Sequence, residues 1–86
     1  MAVAGRIELY GTASCPYTAE LREHLAWNRV AFVEFDVDAD ADARERLLAL
    51  TGGRASVPVL VEDGRVKEVG WRGRSCVIAS SPDEPR

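Results

Sequence analysis

The sequence predicts an α/β fold: a four-stranded mixed sheet with two helices, in the order β-α-β-α-β-β, and a last helix that is short or absent. Three observations carry this. Apolar residues at helical spacing (Tyr17, Leu21 and Leu25; Ala43, Leu47 and Leu50) are interleaved with a period-two run (Val33, Phe35, Val37). Asp63-Gly64 stands between two apolar stretches, the two-residue signature of a type I′ hairpin. A strand–helix–strand crossover is right-handed and sets the first two strands parallel, with the hairpin added to the same sheet.

The elements follow in chain order. Arg6-Ile7-Glu8-Leu9-Tyr10 is a short strand ended by Gly11. Pro16 to Arg29 reads as a helix, with Pro16 at the first position, where no amide hydrogen is needed. Val30 to Val37 is the second strand, its apolar residues alternating with Glu34 and Asp36. A second helix runs from about Asp40 to Leu50, with Asp40 as its cap and Gly52-Gly53 after it. Pro58 to Glu62 and Arg65 to Val69 form the hairpin. What remains has room for one short helix near Ser75 to Ser80. Residues 1–79 are expected to be one domain, and residues 80–86, polar with two prolines, a disordered tail.

Composition excludes several classes. Two cysteines allow at most one intramolecular disulfide, so a disulfide-stapled miniprotein is ruled out. With His24 as the only histidine, a closed four-ligand zinc site would need carboxylates, and no metal site is expected. Residues 1–43 hold three Arg against eight Asp/Glu, and residues 44–86 hold eight Arg/Lys against six. That is too weak an asymmetry for a nucleic-acid footprint. No apolar run approaches the roughly 20 residues of a membrane span, and Met1 to Arg6 shows no secretory signal. The expected location is the reducing cytoplasm, where a cysteine is either inert or catalytic.

Cys15 lies in Thr12-Ala13-Ser14-Cys15-Pro16-Tyr17-Thr18, between the first strand and the first helix. Free amide hydrogens and the positive end of the helix dipole converge there and favour a thiolate. A small buried core cysteine is the bland alternative. A connecting loop ahead of a proline instead predicts an exposed, activated thiol. His24, nine residues on, falls half a turn away and about 13 Å along the helix, so it is read as a surface or packing residue rather than a base for Cys15. Asp36, Asp38, Asp40 and Asp42 alternate like the start of a calcium loop, but Ala41 and Leu47 occupy the positions where glycine and glutamate are needed.

Cys-Pro-Tyr-Thr after a strand and before a helix resembles the glutaredoxin active site, usually Cys-Pro-Tyr-Cys. Gly53-Arg54-Ala55-Ser56-Val57-Pro58 resembles that family's Gly-x-x-Thr-Val-Pro, so the resemblance covers roughly residues 6–76. It implies a thioredoxin-like fold with a cis proline at Pro58 lying against the reactive sulfur. It also implies that Ser56, Val57 and Pro58 present backbone groups to glutathione or a peptide cysteine, with Pro16, Tyr17 and Thr18 framing the groove. Arg54 and Arg72 or Arg74 could clamp a carboxylate. The ending Cys76-Val77-Ile78 is similar to that of small glutaredoxin-like proteins related to selenoproteins. On that resemblance Cys15 is the attacking thiolate and Cys76 the resolving thiol.

Three positions depart from the family pattern. Thr18 replaces the second cysteine of the motif, no lysine precedes Cys15 between Gly11 and Ser14, and the Gly-Gly-x-Asp segment that binds glutathione is represented loosely by Gly73-Arg74-Ser75-Cys76. The implied activity is thiol–disulfide exchange on a disulfide-bearing protein or a low-molecular-weight thiol. Cys76 or an external thiol such as glutathione resolves the mixed disulfide, and no cofactor is required. Two other readings stand beside it: a [2Fe–2S]/glutathione-binding module and a redox-inactive adaptor. Trp71 is expected either to cover a ligand or to fill the space left by the shortened end. The apolar surface that a short last helix would leave bare makes a homodimer an expectation.

Overall fold

The computed structural model describes residues 6–77. Eight elements follow in order: β1 (Ile7–Gly11), α1 (Pro16–Trp27), β2 (Val33–Asp36), α2 (Ala41–Thr51), β3 (Ser56–Val57), β4 (Val59–Glu62), β5 (Arg65–Val69) and β6 (Cys76–Val77). The main sheet has the order β2-β1-β4-β5. β1 and β2 are parallel and the other neighbours antiparallel, as the crossover rule requires. Asp63 (φ 54°) and Gly64 (φ 80°) both take the positive φ that a type I′ turn demands.

Period two along the strands splits the interior into two layers. Tyr10 of β1 and Val59 and Val61 of β4 face one side, where Val37, Ala43, Leu47 and Val57 close a buried cluster with Cys15. Leu9 and Leu60 face the other, against Leu21 and Leu25 of α1, with Val30, Phe32 and Trp71 half-buried around them. Tyr10 is buried without an orphaned hydroxyl: it donates to Glu8 Oε1 (3.2 Å) and accepts from Arg46 Nε (3.3 Å). Arg46 also lies over the Phe35 ring (4.9 Å).

Both helices stop for identifiable reasons. α2 starts at Asp40, whose carboxylate accepts from the amides of Asp42 and Ala43, and ends at Gly52 in the left-handed region. Of the other alternating aspartates, Asp36 accepts from the Asp38 amide (2.9 Å), and among the described residues no group of three or more His, Cys, Asp or Glu is placed to hold a metal ion. α1 ends at Trp27 rather than at the expected Arg29. Arg29 turns left-handed (φ 57°), its amide bonding Ala26 O (3.1 Å) while the Val30 amide bonds Leu25 O (2.9 Å). That is a Schellman motif with its apolar residue, Val30, folded back on the α1 layer. The same turn delays β2. Val30 and Phe32 pack beneath α1 instead of continuing the strand, so β2 begins at Val33 rather than Val30.

The segment after β5 is the largest correction. A short helix was expected near Ser75, but Cys76–Val77 is a strand, β6, antiparallel to β3 in a separate two-stranded sheet. The rest of that helix, the domain limit at residue 79 and the tail 80–86 lie outside the described residues. No helix among the described residues is long and apolar enough to cross a membrane.

Candidate active site

Cys15 is the N-cap of α1, in extended backbone, and Pro16 takes the first helical position. No side chain caps this end. The turn that delivers Cys15 is closed by its amide on Thr12 O (3.4 Å), and the first helical bond runs from Ala19 N to Cys15 O (3.2 Å). Gly11 makes this approach possible. A Cβ there would fall 2.7 Å from Thr18 Oγ1 and 3.0 Å from Thr18 Cβ, so only glycine lets the end of β1 meet the first turn of α1.

Three segments converge on Cys15. The first is its own helix turn. The second is β3 with the cis Val57–Pro58 bond, which sets the Val57 carbonyl oxygen 3.9 Å from Cys15 Sγ. The third is β6: Cys15 and Cys76 are joined as a disulfide, with Cα atoms 6.1 Å apart and 61 residues between them in sequence. That Cα separation lies within the usual span of a disulfide. The bonded sulfur carries no hydrogen, so its approach to Val57 O is a contact and not a hydrogen bond.

The chain reaches β6 through a tight route. Gly70 N donates to Pro58 O (2.6 Å), which pins the end of β5 beside the cis proline. Trp71 and Arg74 then exchange two backbone hydrogen bonds (2.7 and 3.0 Å) around Arg72 (φ 55°) and Gly73 (φ 78°). This second two-residue turn reverses the chain so that β6 meets β3. A side chain at Gly70 would meet the Arg74 carbonyl oxygen at 2.7 Å, so glycine is required there also.

The sequence-predicted residues fare differently. Cys15, Tyr17, Ser56, Val57, Pro58 and Cys76 are brought together. Tyr17 and Cys76 pack half-buried against the cluster that contains Cys15, Val57 and Pro58 are buried, and Ser56 sits beside Val57 on β3. Pro16 is exposed at the helix start. The exposure expected for Cys15 does not occur: the residue is 2% exposed, because β3 and Cys76 cover it. Thr18 does not line a groove. It is fully buried against Gly11, and its hydroxyl has no partner among the described residues.

Gly73 is a turn corner, and Ser75 is exposed. Arg74 is exposed, its guanidinium 6.0 Å from the Tyr17 ring centre. Arg72 lies over Trp71 (5.1 Å). Arg54 is exposed beyond α2, its carbonyl accepting from the Thr51 hydroxyl (2.9 Å). Trp71 packs half-buried on the α1 layer, its ring 4.8 Å from that of the exposed His24.

Gly11, Gly70 and the Arg72-Gly73 turn were missed. The signal for the last was present, since Arg72-Gly73 is the same non-glycine–glycine pair as Asp63-Gly64.

A family model described as glutaredoxin matches residues 7–67. Two probable glutaredoxins of Synechocystis sp. are similar to this chain. One is 32% identical over 71% of this chain and 57% of its own length, the other 33% identical over 77% and 76%. The chain thus spans little more than half of the first relative. Among solved structures, the thioredoxin-like protein BC3987 superposes with a TM-score of 0.64 at 44% identity, covering 71% of this chain and 82% of that one. A glutaredoxin from Archaeoglobus fulgidus reaches a TM-score of 0.69 at 23% identity, covering 79% and 77%, and supports the thioredoxin-like fold alone.

Proposed function

The chain belongs to the glutaredoxin family, and from that premise we propose that it is a thiol–disulfide oxidoreductase with Cys15 as attacking thiolate and Cys76 as resolving thiol. The reading is carried by one observation: the only two cysteines in the chain, far apart in sequence, are joined beside the helix N-terminus and the cis proline. Helix amides and dipole at the N-cap favour the thiolate of reduced Cys15. That thiolate attacks one sulfur of a substrate disulfide, forming a mixed disulfide and releasing the other sulfur as a thiolate that takes up a proton. The Cys76 thiolate then attacks Cys15 Sγ. The remaining substrate sulfur leaves, and the Cys15–Cys76 disulfide closes. Two electrons have passed to the substrate. Two equivalents of glutathione or another low-molecular-weight thiol reverse the closure and end as their own disulfide.

Cys76 thus takes over the task of the second cysteine that Thr18 replaces. Thr18 keeps the first helical turn packed on Gly11.

Intact mass of the oxidised and reduced protein tests this directly. Oxidation should remove about 2 Da within the monomer, and either Cys15→Ser or Cys76→Ser should abolish that loss. Exchange with a mixed-disulfide substrate should vanish in Cys15→Ser and persist, stalled at the mixed disulfide, in Cys76→Ser. Oxidised protein appearing only as intermolecular dimers or as Cys15 adducts would remove Cys76 from the resolving role.

A further inference from the structure

The two halves of the disulfide are not equally open to attack. Cys15 is 2% exposed, with the Val57 carbonyl oxygen 3.9 Å from its sulfur. Cys76 is half-buried: it packs on the cluster that holds Cys15, Val57 and Val59, and keeps part of its surface in solvent. The residues that lead to it, Arg72 to Ser75, are exposed. Among them Arg74 holds its guanidinium 6.0 Å from the ring centre of Tyr17, another half-buried neighbour of the same cluster. The approach to Cys76 therefore carries a positive charge that attracts an anionic thiolate. The two sulfurs also differ as leaving groups. Thiol–disulfide exchange is faster when the departing sulfur is the weaker base. Cys15 is the N-cap of α1, where helix amides and dipole stabilise a thiolate. Cys76 lies in a two-residue strand instead. Attack at Cys76 Sγ expels the stabilised thiolate, and attack at Cys15 Sγ expels the other.

We propose that the reducing thiol enters at Cys76: the cysteine that resolves the substrate also receives the reductant, and Cys15 is the departing thiolate. This rests on the reading of Cys15 and Cys76 given above, and adds to it the sulfur at which the reductant bonds. A low-molecular-weight thiol attacks Cys76 Sγ as its thiolate. The bond from Cys76 to Cys15 breaks, its electron pair going to Cys15, and a mixed disulfide stands on Cys76. A second thiolate then attacks the small-molecule sulfur of that adduct, and the two small thiols leave as their own disulfide. Cys76 departs as a thiolate and takes up a proton. Two electrons have entered the protein while Cys76 keeps its place on the cluster and β6 its pairing with β3. Running the resolving step backwards would instead place the thiol on Cys15. Closure ends with Cys15 covered, so that route must first undo the cover, and entry at Cys76 does not. Substrate and reductant thus bond to different sulfurs.

The test uses the oxidised full chain, with glutathione as the probe. Rapid mixing and an acid quench freeze the exchange, and peptic digestion with mass mapping at the same low pH locates the adduct. Sulfite is the second probe: it splits a disulfide into one S-sulfonate and one thiolate, and its ratio decides where the glutathione adduct is too short-lived to collect. Because the Cys15 thiolate can later take the probe from Cys76, the ratio is read by extrapolation to the moment of mixing. Adducts on Cys76, with Cys15 as the free thiol, should outnumber adducts on Cys15 about tenfold. Adducts divided equally, or found mainly on Cys15, overturn entry at Cys76 and leave the oxidoreductase reading intact. A disulfide that neither probe opens in the folded chain overturns both.

Discussion

The two sides of the sheet are built to different standards. On the α2 side, Tyr10, Val37, Ala43, Leu47, Val57, Val59 and Val61 are buried together, and the disulfide is part of the same cluster through Cys15 and the half-buried Cys76. On the α1 side, four leucines (Leu9, Leu21, Leu25 and Leu60) form the buried centre, and half-buried Ile7, Val30, Phe32 and Trp71 complete it. Cys15 begins α1, yet its side chain belongs to the opposite layer. The disulfide is therefore set into the side with the larger buried cluster, while the side that α1 covers alone is finished by one tryptophan leaning on His24. Closure of the disulfide and packing of the α2 layer support each other. The α1 layer serves as scaffold.

The largest way to break this contrast is to open the disulfide. A loop of 61 residues is closed by Cys15–Cys76, so reduction should lower global stability by about 4 kcal/mol in urea unfolding. Protection from hydrogen exchange should fall first at residues 56–57 and 76–77. A reduced protein as stable as the oxidised one would mean that the bond is incidental to the fold. Next comes Leu47→Ala, which empties the centre of the α2 layer, where Leu47 is fully buried, and should cost about 3 kcal/mol. It should also slow closure of the disulfide, because Cys15 rests on that layer. The smallest effect is Trp71→Ala. The ring is half-buried, so a loss of about 1–2 kcal/mol is expected, with disulfide formation unchanged. Should Trp71→Ala impair closure more than Leu47→Ala, the assignment of the disulfide to the α2 side would be wrong.

What could be read from the sequence is what repeats. The spacing of Tyr17, Leu21 and Leu25 and of Ala43, Leu47 and Leu50 foretold the two helices, Asp63-Gly64 the hairpin, Asp40 the start of α2, and Cys15-Pro16 the start of α1. Two-residue strands have no period to detect, so β3 and β6 were invisible, and the end of the chain was given a helix instead. Val30 and Phe32 look like strand residues because they are apolar and alternate. A Schellman turn at Arg29, which single-residue patterns do not signal, redirects them under α1. The burial of Cys15 was hidden for another reason. Its cover comes from Val57 and Cys76, distant in sequence, and local reasoning about a loop before a proline sees only an open thiol. The juxtaposition of Cys15 with Cys76 was anticipated from family resemblance and not from any spacing in the chain.

The hydrogen bond from Gly70 to Pro58 is more than a detail of how β5 ends. It shortens the leash on Cys76 to residues 71–75, so that on the proposed cycle its thiol stays tethered near Cys15. Short tethers of this kind give effective concentrations of about millimolar or more. On the proposed cycle, a free thiol must reach comparable concentration before it can intercept the mixed disulfide at Cys15. The competition between internal and external resolution is thus set by a length of chain, and inserting residues between Gly70 and Cys76 would shift it toward the external thiol without touching either sulfur.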